Sequence, residues 1–183
     1  MNALLRMVKG SPGKPLHPPL TDASIGAYTL GFAALIAGKA GLEEPQMAHA
    51  ALIAISFGLL LAAPTAITGL LDWLDIPKGT PARTTATIHL FVMVTATLLF
   101  AATWLAQRPG YDDDEVRTLA VVLGIAAEAA LALGGNIGGA NVFVYGIRVL
   151  GRRDTPVSKA LNPLGVPPEE AQSAPAVNEP PAT

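Results

Sequence analysis

Four long apolar stretches separated by short polar segments dominate the hydrophobic pattern of this chain. A helix needs roughly 20 apolar residues to cross a hydrocarbon core of about 30 Å. The stretches reach that length, and the only formal charge within their uncharged cores is Glu128, in the last of them. The pattern therefore predicts four transmembrane helices, at about 22–42, 46–74, 84–107 and 118–147.

The connections between these spans are short, which makes consecutive helices antiparallel neighbours. The expected fold is all-α: an up-down bundle of four transmembrane helices over residues 21–150. Residues 1–20 form an N-terminal segment, and residues 151–183 form a tail rich in proline and alanine that we expect to be largely disordered. No internal repeat is evident.

Basic residues are distributed unevenly around the spans. The N-terminal segment, the middle loop and the C-terminal segment hold most of the lysines and arginines, while residues 112–115 form an acidic run in another loop. Basic residues near span ends remain cytoplasmic. We therefore expect both termini to be cytoplasmic (N-in/C-in) in the inner (plasma) membrane of a bacterium, with the acidic loop outside.

The composition narrows the class of protein. Hydrophobic residues make up 51% of the chain and charged residues only 14%, whereas soluble domains average about 25% charged. We therefore expect the protein to lie in a lipid bilayer. Its net charge of −2 gives no reason to expect a nucleic acid partner. The chain contains no cysteine, so disulfides, thiolate catalysis and cysteine-ligated metals within it are excluded.

The fourth span carries the densest local motif. Gly134 with Gly138, and Gly135 with Gly139, each place two small residues on one helix face, which favours close helix packing. A locally unwound helix lining a cavity is the alternative. Glu128 projects within about 20° of Gly135 and Gly139 at ~100° per residue, so we expect it to face the bundle as a neutral hydrogen-bond donor, with Ser56, Thr95 and Thr97 as candidate partners. It is either a structural hydrogen bond or a proton relay.

Several polar residues are expected together at the cytoplasmic ends of the spans. They are His17, Asp72, His89, Tyr145 and Arg148. Asp72 and His89 could pair, because a carboxylate orients an imidazole. The cluster is open to three interpretations: a purely structural tie between helices, a haem or other redox ligand site, and a proton or small-ligand site. A haem b held by two histidines needs both at one depth, which His17 and His89 could provide if the Pro18-Pro19 segment folds under the bundle; His49 lies at the opposite end.

These motifs together resemble one family. The residues that carry the resemblance are His17-Pro18-Pro19-Leu20, Gly69-Leu70-Leu71-Asp72-Trp73, His89, and the glycine run followed by Val144-Tyr145-Gly146. They resemble the bacterial membrane family of domain of unknown function 2231 over about residues 15–150. The resemblance implies a four-helix membrane domain. Because that domain also occurs fused to Rieske iron–sulfur domains, it implies an association with respiratory electron transfer. This chain lacks the Rieske cysteines, so any redox centre would be a bound haem or belong to a partner.

Three hypotheses about function follow. The first is an accessory or binding subunit without catalytic chemistry of its own, joined to membrane protein partners or to further copies of itself, in a larger and possibly respiratory complex. The second is a b-type haem or quinone-linked electron-transfer protein using His17 and His89. The third is a small proton-coupled transporter or channel using Glu128. No nucleophile–base pair suggests an enzyme, and neither catalytic residues nor a metal site are predicted.

Overall fold

The computed structural model describes residues 8–11, 13–150 and 155–162. It confirms a helical membrane protein with four helices long and apolar enough to cross a bilayer. The tail at 151–183, predicted to be disordered, lies largely outside the described residues. The long helices are α1 (His17–Lys39), α2 (Glu44–Asp75), α3 (Pro81–Asp112) and α4 (Thr118–Phe143), accompanied by strands β1 (Gly10–Ser11) and β2 (Lys14–Pro15) and a short helix α5 (Val157–Ala160).

The first helix begins earlier than the hydrophobic pattern suggests. Residue 22 is its predicted start, but α1 starts at His17 and includes Pro18 and Pro19 in its first turn. Proline is favoured there, because its fixed φ suits a helix and the first amides have no helical acceptor. The two prolines therefore open the helix and do not pass under the bundle.

The helices form a ring in the order α1, α2, α3, α4. The closest packing is within two hairpins, α1 with α2 and α3 with α4, and the hairpins meet through α2–α3 and α1–α4 contacts. Helices α1 and α3 are consequently diagonal to each other. They also run in the same direction, because each is the first helix of its hairpin.

The centre of the bundle is a stacked aromatic pair. The rings of Tyr28 on α1 and Phe100 on α3 lie 4.2 Å apart and nearly parallel, and both side chains are buried. Small residues let the neighbouring helices approach this pair: a Cβ added at Gly58 would lie 2.6 Å from Cδ1 of Tyr28. The stack links the diagonal helices at one depth.

The two hairpins have matching buried positions. A shift of 72 residues (28 to 100) carries α1 onto α3, and a shift of 69 residues (58 to 127) carries α2 onto α4. Buried positions related in this way are Ser24/Ala96, Tyr28/Phe100, Leu35/Gln107 and Gly38/Gly110 in the first pair of helices, and Ala51/Ala120, Ile55/Gly124, Gly58/Ala127 and Asp72/Asn141 in the second. The bundle is therefore an internal two-fold repeat of parallel hairpins, contrary to the expectation that the chain has no repeat. Such repeats are related by an axis along the membrane normal.

The chain before α1 closes one end of the bundle. Strands β1 and β2 pair antiparallel, Gly10 with Pro15 and Ser11 with Lys14. Leu150, beyond α4, contacts this hairpin at Gly13. We call this the His17 end, because it holds the starts of α1 and α3 and the ends of α2 and α4; the opposite one is the His49 end. The expectation that the His17 end is cytoplasmic stays a prediction.

The central stack predicts how the bundle responds to an added methyl group. Gly58→Ala should destabilise the protein by about 1–3 kcal/mol, because Tyr28 is held against Phe100 and cannot move away from the new Cβ. Thermal unfolding in detergent measures this effect. Gly26→Ala is the matched control: its Cβ meets nothing within 4 Å, so it should be neutral or stabilising by up to ~1 kcal/mol. Equal effects of the two substitutions would contradict the packing described.

Candidate functional site

His17 is held on α1 by the backbone of α2. Its Nδ1 lies 3.0 Å from the carbonyl oxygen of Thr65, and the hydroxyl of Thr68 is 3.4 Å away. The ring rests against Gly69, where an added Cβ would lie 2.6 Å from the imidazole Cε1. A glycine is therefore required for the ring to lie this close to the facing helix.

His89 is held in the same manner on the second hairpin. Its Nδ1 lies 2.9 Å from the carbonyl oxygen of Gly134 on α4. Four residues later, a Cβ at Gly138 would lie 2.8 Å from the imidazole Cε1. In both hairpins, a histidine on the first helix therefore donates a hydrogen bond to a carbonyl oxygen of the second helix. It also packs against the glycine that lies one turn after that carbonyl.

The two histidines lie at one depth in the bundle. His17 precedes Tyr28 by the same interval as His89 precedes Phe100, and those two rings are stacked. At 1.5 Å per residue, each histidine is roughly 16 Å from the stack along parallel, diagonal helices. The structure thus places His17 and His89, the pair predicted from the sequence, at one depth.

The hydrogen bonds define the tautomer of each ring. A carbonyl oxygen only accepts, so each Nδ1 carries the proton and donates it. In the neutral ring the lone pair is then on Nε2, which is the arrangement found in ligating histidines, where the other nitrogen donates to a carbonyl or carboxylate. In both rings, Nε2 remains without a hydrogen-bond partner among the described residues.

A compact set of charges lies beside the histidines. Nε of Arg148 is 3.3 Å from Oδ1 of Asp72, and the contact is an ion pair without the alignment of a hydrogen bond. Arg148 also donates to the carbonyl oxygens of Lys9, at 2.7 Å, and Gly10. Lys9 in turn pairs with Asp75. Two cations thus balance two carboxylates, and Arg148 ties α2 to the strand before α1.

This arrangement corrects one expectation for the cluster. Asp72 pairs with Arg148 and not with His89, because His89 already donates to a backbone carbonyl and Arg148 reaches Asp72 from the turn after α4. That turn places Arg148 in the left-handed region, at φ 64. Tyr145 lies further out, 40% exposed, where its hydroxyl accepts from Thr85 at 3.4 Å.

The glycine run packs through only one of its two pairs. Gly134 and Gly138 face α3, where they meet Met93 and His89. An added Cβ at Gly135 would meet nothing within 4 Å, and one at Gly139 would meet only Phe143 of the same helix. The expectation that all four glycines pack closely is wrong for Gly135 and Gly139, because the approach of α3 falls on the neighbouring face of a continuous helix.

Glu128 lies at the edge of the bundle between α4 and α1. Its Oε1 accepts a hydrogen bond from the exposed Thr29 at 3.0 Å, and its buried Oε2 has no partner among the described residues. The predicted partners are not used: Ser56, for example, accepts from Trp104. Glu128 shares its helix face with Gly135 and Gly139, as expected, but that face points away from α3.

His49 belongs to a different structure at the opposite end. Its Nε2 lies 2.9 Å from Oδ1 of Asp114 and 2.9 Å from the carbonyl oxygen of Tyr111, whose ring it also contacts. These partners anchor the loop between α3 and α4. His49 therefore cannot complete a pair with His17 or His89.

A signal for the site was present in the sequence but was overlooked. The spacing Thr65, Gly69, Asp72 on α2 recurs as Gly134, Gly138, Asn141 on α4. In each set the first residue supplies the carbonyl and the second supplies the flat surface, while the third is a buried polar side chain. Comparing the two halves of the chain at these positions would have shown the repeat and paired the histidines.

The charges beside the site lead to a stability prediction. Arg148→Met leaves the buried Asp72 without its cation, which should cost about 3–5 kcal/mol. The double variant with Asp72→Asn should recover part of that loss, because no charge is then left unpaired. Thermal unfolding in detergent compares the variants. Arg108→Met is the control, since it removes an exposed pair with Asp112 and should cost no more than ~1 kcal/mol. An Arg148 variant as stable as this control would contradict the described role of the pair.

Comparison with known proteins agrees with this architecture. No curated protein and no solved structure matches the chain. A family model described as "Predicted membrane protein (DUF2231)" matches residues 13–151, which include all four long helices and both histidines of the site. The match covers well over half of the sequence, and the chain belongs to this family of membrane proteins.

Proposed function

We propose that this protein is a b-type haem protein of the membrane that carries single electrons. His17 and His89 would hold the iron through Nε2, one from each hairpin. The observation that carries the proposal is their matched geometry: equal depth on diagonal parallel helices, an Nδ1–H donated to a carbonyl oxygen, and a glycine in contact with each ring.

The number of ligands favours haem over a bare metal ion. No group of three or more histidine or acidic side chains that could hold a metal occurs among the described residues. A free metal ion needs about four protein or solvent ligands. The iron of haem is already bound by the macrocycle, so the protein would need to supply only one or two ligands. Two histidines at one depth, one on each hairpin, would supply that number of ligands.

The charges near the histidines suit a ligand with acidic edges. Arg148 and Lys9 lie toward the His17 end, where they could meet carboxylates that extend out of the apolar layer. Arg148 would have to share its charge with Asp72, which would hold the guanidinium in place.

A bound haem would supply a reversible one-electron change, and the chain itself would hold and insulate it. The core between the site and the His49 end is closed by the Tyr28–Phe100 stack, which would keep water from the apolar side of the ring. No catalytic set accompanies the histidines in the described part of the chain. The proposed role is therefore an electron-carrying subunit that serves a partner in a larger membrane assembly. This role combines the first two hypotheses from the sequence, an accessory subunit and a haem protein.

The position of Glu128 weighs against the transporter hypothesis. Its carboxyl group lies between α1 and α4 at the edge of the bundle, hydrogen-bonded to an exposed threonine. The interior at the level of the neighbouring Tyr28 is filled by aromatic and aliphatic side chains.

Absorbance spectroscopy tests the proposal. Protein produced with added haem precursor should purify with a haem b whose oxidised and reduced spectra are those of a six-coordinate low-spin iron. His17→Ala and His89→Ala should each lose that spectrum, because each removes one axial ligand.

His49→Ala is the matched control, since His49 lies at the other end of the bundle, and it should keep the spectrum. Thermal unfolding of the haem-free proteins separates lost ligation from lost folding. Failure of the unaltered protein to bind haem, or an unchanged spectrum in both alanine variants of the pair, would overturn the proposal.

A further inference from the structure

We propose that Asn141 of α4 is a specificity-determining residue of the histidine site, where its side-chain amide hydrogen-bonds one acidic group of the bound ligand. The proposal rests on the proposed function and deepens it, because haem b carries two acidic groups. Arg148 meets one of them as a cation, and Asn141 meets the other as a neutral partner.

Asn141 lies beside His89, on the face of α4 that meets α3. It follows Gly134 by seven residues and Gly138 by three, so the three residues share one face of the helix. Gly134 supplies the carbonyl oxygen that accepts from His89, and Gly138 contacts the imidazole ring. Asn141 is only 9% exposed. It is therefore a buried polar residue about one helical turn beyond the ring.

The side-chain amide of Asn141 has hydrogen-bonding capacity that the chain does not use. Its Oδ1 is buried and has no hydrogen-bond partner among the described residues. A buried polar atom without a partner lowers the stability of a protein. Such atoms are rare in native structures, and each one calls for a partner from outside the chain or for a functional reason. At Asn141 the uncompensated atom adjoins the histidine site.

The turn after α4 brings Arg148 to the same place. The backbone amide of Ile147 donates to the carbonyl oxygen of Asn141 at 3.0 Å, and Arg148 is the next residue. From there its guanidinium extends to Asp72 on α2, where Nε lies 3.3 Å from Oδ1. Asp72 and Asn141 are equivalent positions of the two hairpins, and both are buried. A cation and a neutral amide are thus provided at one level beside the two histidines.

The chemistry of the amide selects the kind of group that it binds. An asparagine side chain has two N–H donors and one acceptor oxygen. A protonated carboxylic acid matches both ends of the amide, because its carbonyl oxygen accepts from Nδ2 while its hydroxyl donates to Oδ1. An ester of the same acid keeps the acceptor and loses the donor. Asn141 therefore favours a ligand with a free acid group over the corresponding ester.

Binding of haem b and of its dimethyl ester, in which both acidic groups are blocked, tests this preference. Each compound is titrated by absorbance into the haem-free protein in detergent. Asn141→Leu should weaken binding of haem b roughly three- to tenfold, the value of one hydrogen bond, and should leave binding of the ester nearly unchanged. Asn136→Leu is the matched control, since it replaces an exposed asparagine of the same helix, and it should alter neither affinity.

The outcomes distinguish the two levels of the account. If Asn141→Leu keeps both the low-spin spectrum and the original ratio of the two affinities, the role of Asn141 is overturned while the haem site stands. A protein that binds neither compound contradicts the proposed function and the role of Asn141 with it.

Unfolding of the haem-free variants separates a ligand contact from a structural one. Asn141→Leu should not lower the midpoint of thermal unfolding in detergent, because it removes a buried polar atom that has no partner. Ser24→Ala provides the contrast: its buried hydroxyl donates to the carbonyl oxygen of Gly58 at 3.2 Å, so its loss should lower the midpoint. A decrease for Asn141→Leu as large as that for Ser24→Ala would show that the amide supports the fold, and it would overturn the proposal.

Discussion

The packing of each imidazole on a glycine of the neighbouring helix is the constraint on which the rest of this structure depends. Gly69 and Gly138 let the rings of His17 and His89 lie close enough to α2 and α4 to donate Nδ1–H to a backbone carbonyl. A side chain at either glycine would displace the ring. This contact orients the histidine, fixes its tautomer and brings the two helices of a hairpin together. The same contact therefore contributes to helix packing and sets the chemistry of the site.

The two-fold repeat explains why the contact occurs twice and at one depth. Each hairpin carries its own histidine and glycine, and the stack of Tyr28 on Phe100 aligns the hairpins across the bundle. The two halves differ in the buried polar residue beside each histidine. Asp72 in the first half corresponds to Asn141 in the second, so only one side of the site has a carboxylate for Arg148. The repeat therefore gives two matching histidines and one unmatched carboxylate.

Much of this could be predicted from the sequence, and the failures have physical causes. Span length and hydropathy identified the four helices, and depth along the spans placed Asp72, His89 and Arg148 at one end. The start of α1 at His17 was missed because prolines were interpreted as a helix boundary, although the first turn tolerates them. Close packing was expected for Gly135 and Gly139 as well, because helical periodicity defines faces without saying which face a neighbour covers. The partner of Glu128 depended on the register of α1 against α4, which no local pattern encodes.

Electron paramagnetic resonance of the oxidised, haem-supplemented protein tests the central claim most directly, because it reports the axial ligands of the iron. The account predicts one haem per chain with a low-spin signal from two neutral imidazoles, lost on replacing either His17 or His89 and kept on replacing His49. A high-spin signal, or a protein that remains free of haem while correctly folded, would contradict it.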